Sequence, residues 1–321
     1  QGFHLMGLHP IQNGMTIHLD RYAMEVEAPC SGFKLLLTLL VLGGALAGLT
    51  DLRRGRKWLL LLGIIPLALL VAYAANATPG VLAWTGRRQR ATFAAQWYAV
   101  AALFLFPWLY SAAQVMLLAA PVRGIGQAVV AAWFAQNLLS LWLFPTALAA
   151  AYYLVPKLTG RTIANYDFAP HGFWALLFFG AWTGTRHLIG GPVPAWIPTL
   201  GIATTLILLF HYVIVALNLR GGLRGSRGDV ALSFVSCGLL AYLAGGVLDA
   251  VFAFKGFAEV VQFTYFPMAQ LNLAFVGAYA FLILRASYYL APRIPGVAWP
   301  SPALIRAHFR RSLTGTAITV A

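Results

Sequence analysis

The sequence is poor in charge, and poorest in negative charge. Eight Asp and Glu stand against 22 Lys and Arg, and charged residues fill only 9% of the 321 positions. A soluble domain of this length needs a much larger polar surface, so an ordinary soluble enzyme or binding domain is excluded. Cysteine is also nearly absent. Cys30 precedes one apolar run and Cys237 lies inside another, an arrangement that supports neither a disulfide framework nor a cysteine-based metal site. No basic, apolar leader follows Gln1, which leaves targeting to the first membrane helix or to sequence upstream.

What the chain has in quantity is apolar surface: 60% of residues are hydrophobic and the mean hydropathy is +0.77. With about 20 apolar residues per crossing, eight spans are expected, near 34–50, 58–77, 94–120, 125–155, 170–190, 194–218, 230–253 and 260–290. The expected fold class is therefore all-α, a polytopic transmembrane bundle whose first partner is the lipid bilayer. A net charge of +14 could suggest nucleic acid, but the cations sit in short clusters between apolar runs, where orientation in the bilayer accounts for them. Aromatic residues gather near span ends, as in FPWLY, AYYLVP and SYYLAP, and read as interfacial belts.

Ahead of the first span, MTIHLD and AMEVE alternate apolar and polar residues with Asp20-Arg21 between them, the pattern of a small amphipathic hairpin at the membrane surface. The loop DLRRGRK places its face in the cytoplasm and EVEAPCSG, with Cys30, outside, which suits a bacterial inner membrane. KLTGR, LRGGLRGSR and the C-terminal arginines share the inner face. By the same parity TGRRQR is also inside, so the run at 58–77 would start and end on one face. A further span between about 77 and 93, a re-entrant second run, or a junction of two pieces would remove the conflict, and TPG at 78–80 is a breaker at that place. The expected division is 1–77, a junction at 78–93, a bundle at 94–300 and a basic tail at 301–321.

EVEAPCSGFK, with its hairpin-like lead-in, resembles the exosortase and archaeosortase family, whose transpeptidase cysteine lies in an A-C-S-G motif at the external start of a helix. A helix N-terminus favours the thiolate, so Cys30 is the candidate nucleophile. The resemblance implies an arginine from a following helix, and PLALLVAYAA has Ala72 and Ala75 where the family's Asn and Arg would stand. A structural cysteine in a helix-entry turn is the other reading of Cys30. As an enzyme the chain would be a cysteine transpeptidase that takes its Arg and His from another chain.

Residues 94–300 resemble the catalytic subunit of the cbb-type heme-copper oxidases. WFAQNLLSL with YYLVPKLTG, HGFWALLFFGAWTGTRHL, and FTYFPMAQLNLAFVG carry the resemblance, in order and spacing. It implies copper and heme ligands at positions that here hold Gln136, Arg186, Gln270 and Asn272, with His187 as the remaining imidazole. Copper and heme iron take imidazole or comparably strong donors, and amides are poor replacements. No cofactor is therefore expected, and other membrane subunits are the expected partners of a scaffold-like chain. His211 reads as a hydrogen-bonded core residue. Asp249 within a span is costly, and Arg186 is its candidate partner, either as a structural ion pair or on a proton path.

Overall fold

The computed structural model describes residues 11–13, 16–19, 22–25, 78, 80–82, 84–86, 92–119, 122–223, 230–262, 264–294, 296, 299 and 301–320. The chain divides into two compact units, Gln1–Ala75 and Asn76–Ala321. In the first, three short strands form an antiparallel meander: β1 Ile11–Asn13, β2 Thr16–Leu19 and β3 Tyr22–Glu25. β2 and β3 pair antiparallel, Leu19 with Tyr22 and Thr16 with Glu25. The expected spans at 34–50 and 58–77, together with Cys30, Ala72 and Ala75, lie outside the described residues.

The second unit is helical. Its described elements are α1 Ala94–Gln114, α2 Ile125–Asn137, α3 Phe144–Thr159, α4 Ala169–Gly180, α5 Trp196–Ile207, α6 Leu209–Asn218, α7 Val230–Val251, α8 Lys255–Val261, α9 Phe266–Asn272, α10 Phe281–Leu290 and α11 Pro302–Val320. Several run into one another. Among the described residues, five continuous helical stretches are long and apolar enough to cross a membrane: Ala94–Leu117, Ile125–Thr159, Trp196–Asn218, Leu232–Val251 and Phe266–Arg293. Large apolar side chains such as Trp108, Trp174, Phe178, Trp196 and Phe210 are exposed on this unit, an outer surface suited to acyl chains rather than water. Inside it, Tyr98, Leu148, Leu154, Leu176, Val215, Leu239 and Leu282 form the centre of the core.

Three places depart from the sequence reading. Residues 78, 80–82, 84 and 85, where a breaker is expected, are helical, and a Cβ added to Gly80 would come within 2.6 Å of Leu103 Cδ1 of α1. The stretch expected as a span at 170–190 is not one continuous helix: α4 stops at Gly180, and Thr183–Leu188 forms a tight 3₁₀ turn. The segment after 301, expected as a basic tail, is the 19-residue helix α11. It lies against the α9–α10 segment and α7, with the amide of Asn272 facing the Thr319 carbonyl at 3.5 Å.

Gly180 ends α4 because its carbonyls find partners elsewhere. A helix end inside an apolar layer leaves orphan C=O groups that water cannot reach. Here Ser140 Oγ donates to Gly180 O (3.1 Å) and Asn137 Nδ2 to Ala181 O (3.1 Å), both from the α2–α3 segment. Thr183 Oγ1 adds a third bond, to Gly180 O at 3.0 Å. The following turn is buried at Thr183, Gly184, Thr185 and Arg186, which is where irregular backbone is tolerated at membrane depth.

Candidate functional site

The turn Thr183–Leu188 is held between two helices by glycines. On one side Gly184 faces α2 so closely that an added Cβ would meet Ala132 O at 2.6 Å and Gln136 Cβ at 2.7 Å. On the other, a Cβ on Gly201 of α5 would fall 2.3 Å from the backbone N of Arg186 and 2.6 Å from Thr185 Oγ1. Such contacts cannot relax by moving a side-chain tip. The two helices thus fix the backbone of Arg186 and aim its side chain into the unit. Gly201→Ala is expected to destabilise the chain by about 1–3 kcal/mol through overpacking, measured as a lower thermal midpoint in detergent. A midpoint equal to that of the unsubstituted chain would show that the turn is not clamped there.

Arg186 is 6% exposed and forms an ion pair with Asp249, near the end of α7. Its Nη1 also approaches Thr183 O, at 3.4 Å. The same Asp249 oxygen accepts a hydrogen bond from the side-chain amide of Gln270 on α9. Three segments distant in sequence therefore meet on one carboxylate. An isolated charge in such a place would be very costly, and the guanidinium neutralises it while the amide occupies a further lone pair.

The remaining candidates divide around this cluster. Gln136 packs against Gly184, on the same turn as Arg186. His187 is exposed, and its carbonyl accepts a hydrogen bond from Gln262. Asn272 turns toward α11 instead. Arg186, His187, Gln262, Phe266 and Gln270 line a small cavity of about 40 Å³, room for two or three waters. Among the described residues, no three His, Cys, Asp or Glu side chains come together as a metal-binding group.

Two helices change pitch beside these positions. A π-helical stretch, Leu138–Leu143, begins directly after Gln136 and Asn137, and a second, Leu273–Ala280, directly after Asn272. Each widened turn shifts the facing of the side chains that follow, a device found often at functional sites.

A second buried polar node centres on His211, which is 0% exposed. Its Nδ1 lies 2.7 Å from Gly172 O of α4, and its Nε2 2.7 Å from the Tyr242 hydroxyl of α7. A carbonyl can only accept, so Nδ1 carries the proton, and in the neutral ring Nε2 accepts from the Tyr242 O–H. Both nitrogens are committed to three-helix packing. Tyr212 lies beside this pair, its ring tilted 54° to that of Tyr242, close enough to α7 that a Cβ on Gly246 would sit 2.5 Å from its ring.

The family profile described as Cytochrome C and Quinol oxidase polypeptide I matches residues 25–321. The chain belongs to that family. Among curated proteins it is 28% identical over 203 residues to Cbb3-type cytochrome c oxidase subunit CcoN1 of Stutzerimonas stutzeri, covering 62% of this chain and 43% of that protein. Cytochrome c oxidase subunit 1 of Rhodobacter capsulatus is 24% identical over 179 residues, 54% of this chain and 34% of the relative. Cytochrome c oxidase subunit 1 homolog of Agrobacterium tumefaciens (strain T37) is 23% identical over 177 residues, 54% of this chain and 33% of the relative. The chain thus spans less than half the length of these relatives. The family match begins at residue 25, so it includes the EVEAPCSGFK segment.

Some members of the site are not visible in the sequence pattern. Gln270 reads only as a ligand position occupied by an amide, whereas it donates to Asp249 from 21 residues away. Tyr242 gives no signal as the partner of His211, because the two lie on different helices, 31 residues apart. Gln262 likewise reaches His187 across 75 residues. A polar residue within an apolar run was the available signal for all three.

Proposed function

We propose that this oxidase-family chain works without heme or copper, as a non-catalytic scaffold or partner in a respiratory or envelope membrane complex. One observation carries the reading: Asp249 is engaged by both Arg186 and Gln270, two residues at positions where the cbb-type resemblance implies metal ligands. The donor set does not fit the family's metals. A guanidinium has no lone pair to give and repels a cation, while the amides of Gln136, Gln270 and Asn272 are weak donors beside imidazole. His187 supplies one imidazole next to that guanidinium. His211 has neither ring nitrogen to spare.

In place of a metal centre, the Arg186–Asp249–Gln270 cluster cross-links the 3₁₀ turn, α7 and α9 through a neutral polar contact. Such a cross-link stabilises packing in an apolar layer, where burial of apolar side chains gives helices little reason to associate. The Lys and Arg distribution favours a bacterial inner membrane with the 219–229 loop in the cytoplasm and Cys30 outside.

Oxygen uptake tests the reading. The purified chain in liposomes, supplied with an artificial one-electron reductant, is expected to consume oxygen at the rate of empty liposomes. Cyanide-sensitive uptake that scales with the amount of protein would overturn it.

A further inference from the structure

A basic cavity of about 650 Å³ opens at the end of the bundle where α3 and α6 finish and α7 begins, lined by Val155, Leu158, Arg161, Thr162, Arg220 and Leu232 among others. Its size falls within the roughly 300–1,000 Å³ of small-molecule sites. Arg161 and Arg220 are exposed, and neither has an ion-pair partner among the described residues. Lys157 stands nearby on α3, its ammonium 5.9 Å from the centre of the Tyr153 ring. The wall formed by Val155, Leu158 and Leu232 is apolar. Two guanidinium groups at the mouth and aliphatic side chains along the wall are the chemistry of a lipid that has both a phosphate and an acyl chain.

The two arms that carry the arginines are pinned. Gly160 ends α3 in the left-handed conformation, φ 66°, and its N–H bonds Pro156 O at 3.0 Å. The chain then returns past Asn218, whose Nδ2 donates to both Ala164 O and Asn165 O at 2.8 Å while its Oδ1 accepts from Tyr152 at 2.8 Å. On the other arm, Ser236 Oγ donates to Gly222 O at 2.6 Å and ties the helical turn Arg220–Leu223 to α7. The backbone that carries the two arginines is therefore held before any ligand arrives, which leaves mainly side-chain ordering as the cost of binding one.

We propose that this cavity binds the phosphate of an anionic phospholipid headgroup, held by Arg161 and Arg220. Basic pockets between transmembrane helices at the membrane–water boundary suit such headgroups. The helix ends here are those of the apolar stretches Ile125–Thr159, Trp196–Asn218 and Leu232–Val251, so the cavity opens where the chain leaves the apolar layer. The carbonyl ends of α3 and α6 also favour cations at this place. Arginines that served only those helix ends would not distinguish one headgroup from another.

The test uses the full chain in nanodiscs of phosphatidylcholine doped with phosphatidylglycerol, with bound lipid counted by native mass spectrometry after release. Retention of phosphatidylglycerol is expected over phosphatidylcholine. The Arg161→Gln/Arg220→Gln double variant should lose about 30-fold in that preference, roughly a factor of five for each charge removed. A paired Arg161→Lys/Arg220→Lys variant should keep most of it, which separates lost charge from lost fold. Equal retention of the two lipids, or an undiminished preference in the double Gln variant, would overturn the site. If inorganic phosphate displaced phosphatidylglycerol at equal concentration, the lipid assignment would fall.

Discussion

Asp249→Ala is expected to lower the thermal unfolding midpoint of the detergent-solubilised chain by about 6–20 °C. The substitution removes the one acceptor shared by the Arg186 guanidinium and the Gln270 amide. Breaking a buried pair by deleting one partner costs about 3–5 kcal/mol, because the surviving charge stays buried without compensation. For a chain of this size each kcal/mol moves the midpoint by roughly 2–4 °C. The decisive comparison is the Arg186→Met/Asp249→Leu double variant. It leaves no orphan charge, only the Gln270 amide without its acceptor, so most of the lost stability should return. A double variant as unstable as Asp249→Ala, or a single variant with an unchanged midpoint, would show that the three residues do not form an energetic unit.

His211→Leu should cost about 3 kcal/mol, from a different source. The ring satisfies the Gly172 carbonyl and the Tyr242 hydroxyl at once, both at 2.7 Å. Each buried polar group left without a partner costs about 1–3 kcal/mol. Adding Tyr242→Phe removes one of the two orphans, so the double variant should be more stable than His211→Leu alone. Equal stability of the two would mean that the Tyr242 hydroxyl contributes nothing. A purified His211→Leu chain as stable as the parent would mean that the node is not structural.

The two nodes also show what the sequence discloses. Hydropathy alone finds the helices that begin at Ala94, Ile125, Trp196, Leu232 and Phe266, because an apolar layer demands long apolar runs and little else. It misreads HGFWALLFFGAWTGTRHL as one span, since those residues are as apolar as a span. The break at Gly180 depends on Asn137 and Ser140, more than 39 residues earlier, which supply hydrogen bonds to the end of α4. No local pattern contains that information. The π-helical turns after Asn137 and Asn272 are invisible for a similar reason: the residues in them are ordinary helix formers, and packing sets the pitch.

For the site, the costly residue was readable and its surroundings were not. A carboxylate at Asp249 inside GGVLDAVFAF demands a partner, and Arg186 is a cation in another apolar run. That Gln270 completes the contact follows only from the placement of α9 against α7. The helix at Pro302–Val320 was hidden by composition: Arg306, His308, Arg310 and Arg311 within IRAHFRR mark a basic tail, and nothing local shows that His308 Nδ1 meets the Tyr288 hydroxyl at 2.8 Å or that Phe309 packs on Phe234. The Cys30 segment, the source of the exosortase resemblance, lies outside the described residues.

We propose that the Arg186–Asp249–Gln270 cluster stands in this oxidase-family chain where the cbb-type resemblance implies metal ligands. Purification of the chain from cells grown with iron and copper in excess, followed by an absorbance spectrum and metal quantification on the same sample, addresses it most directly. The expected result is no Soret band and copper far below one atom per chain. Stoichiometric heme or copper that survives size-exclusion chromatography would contradict it.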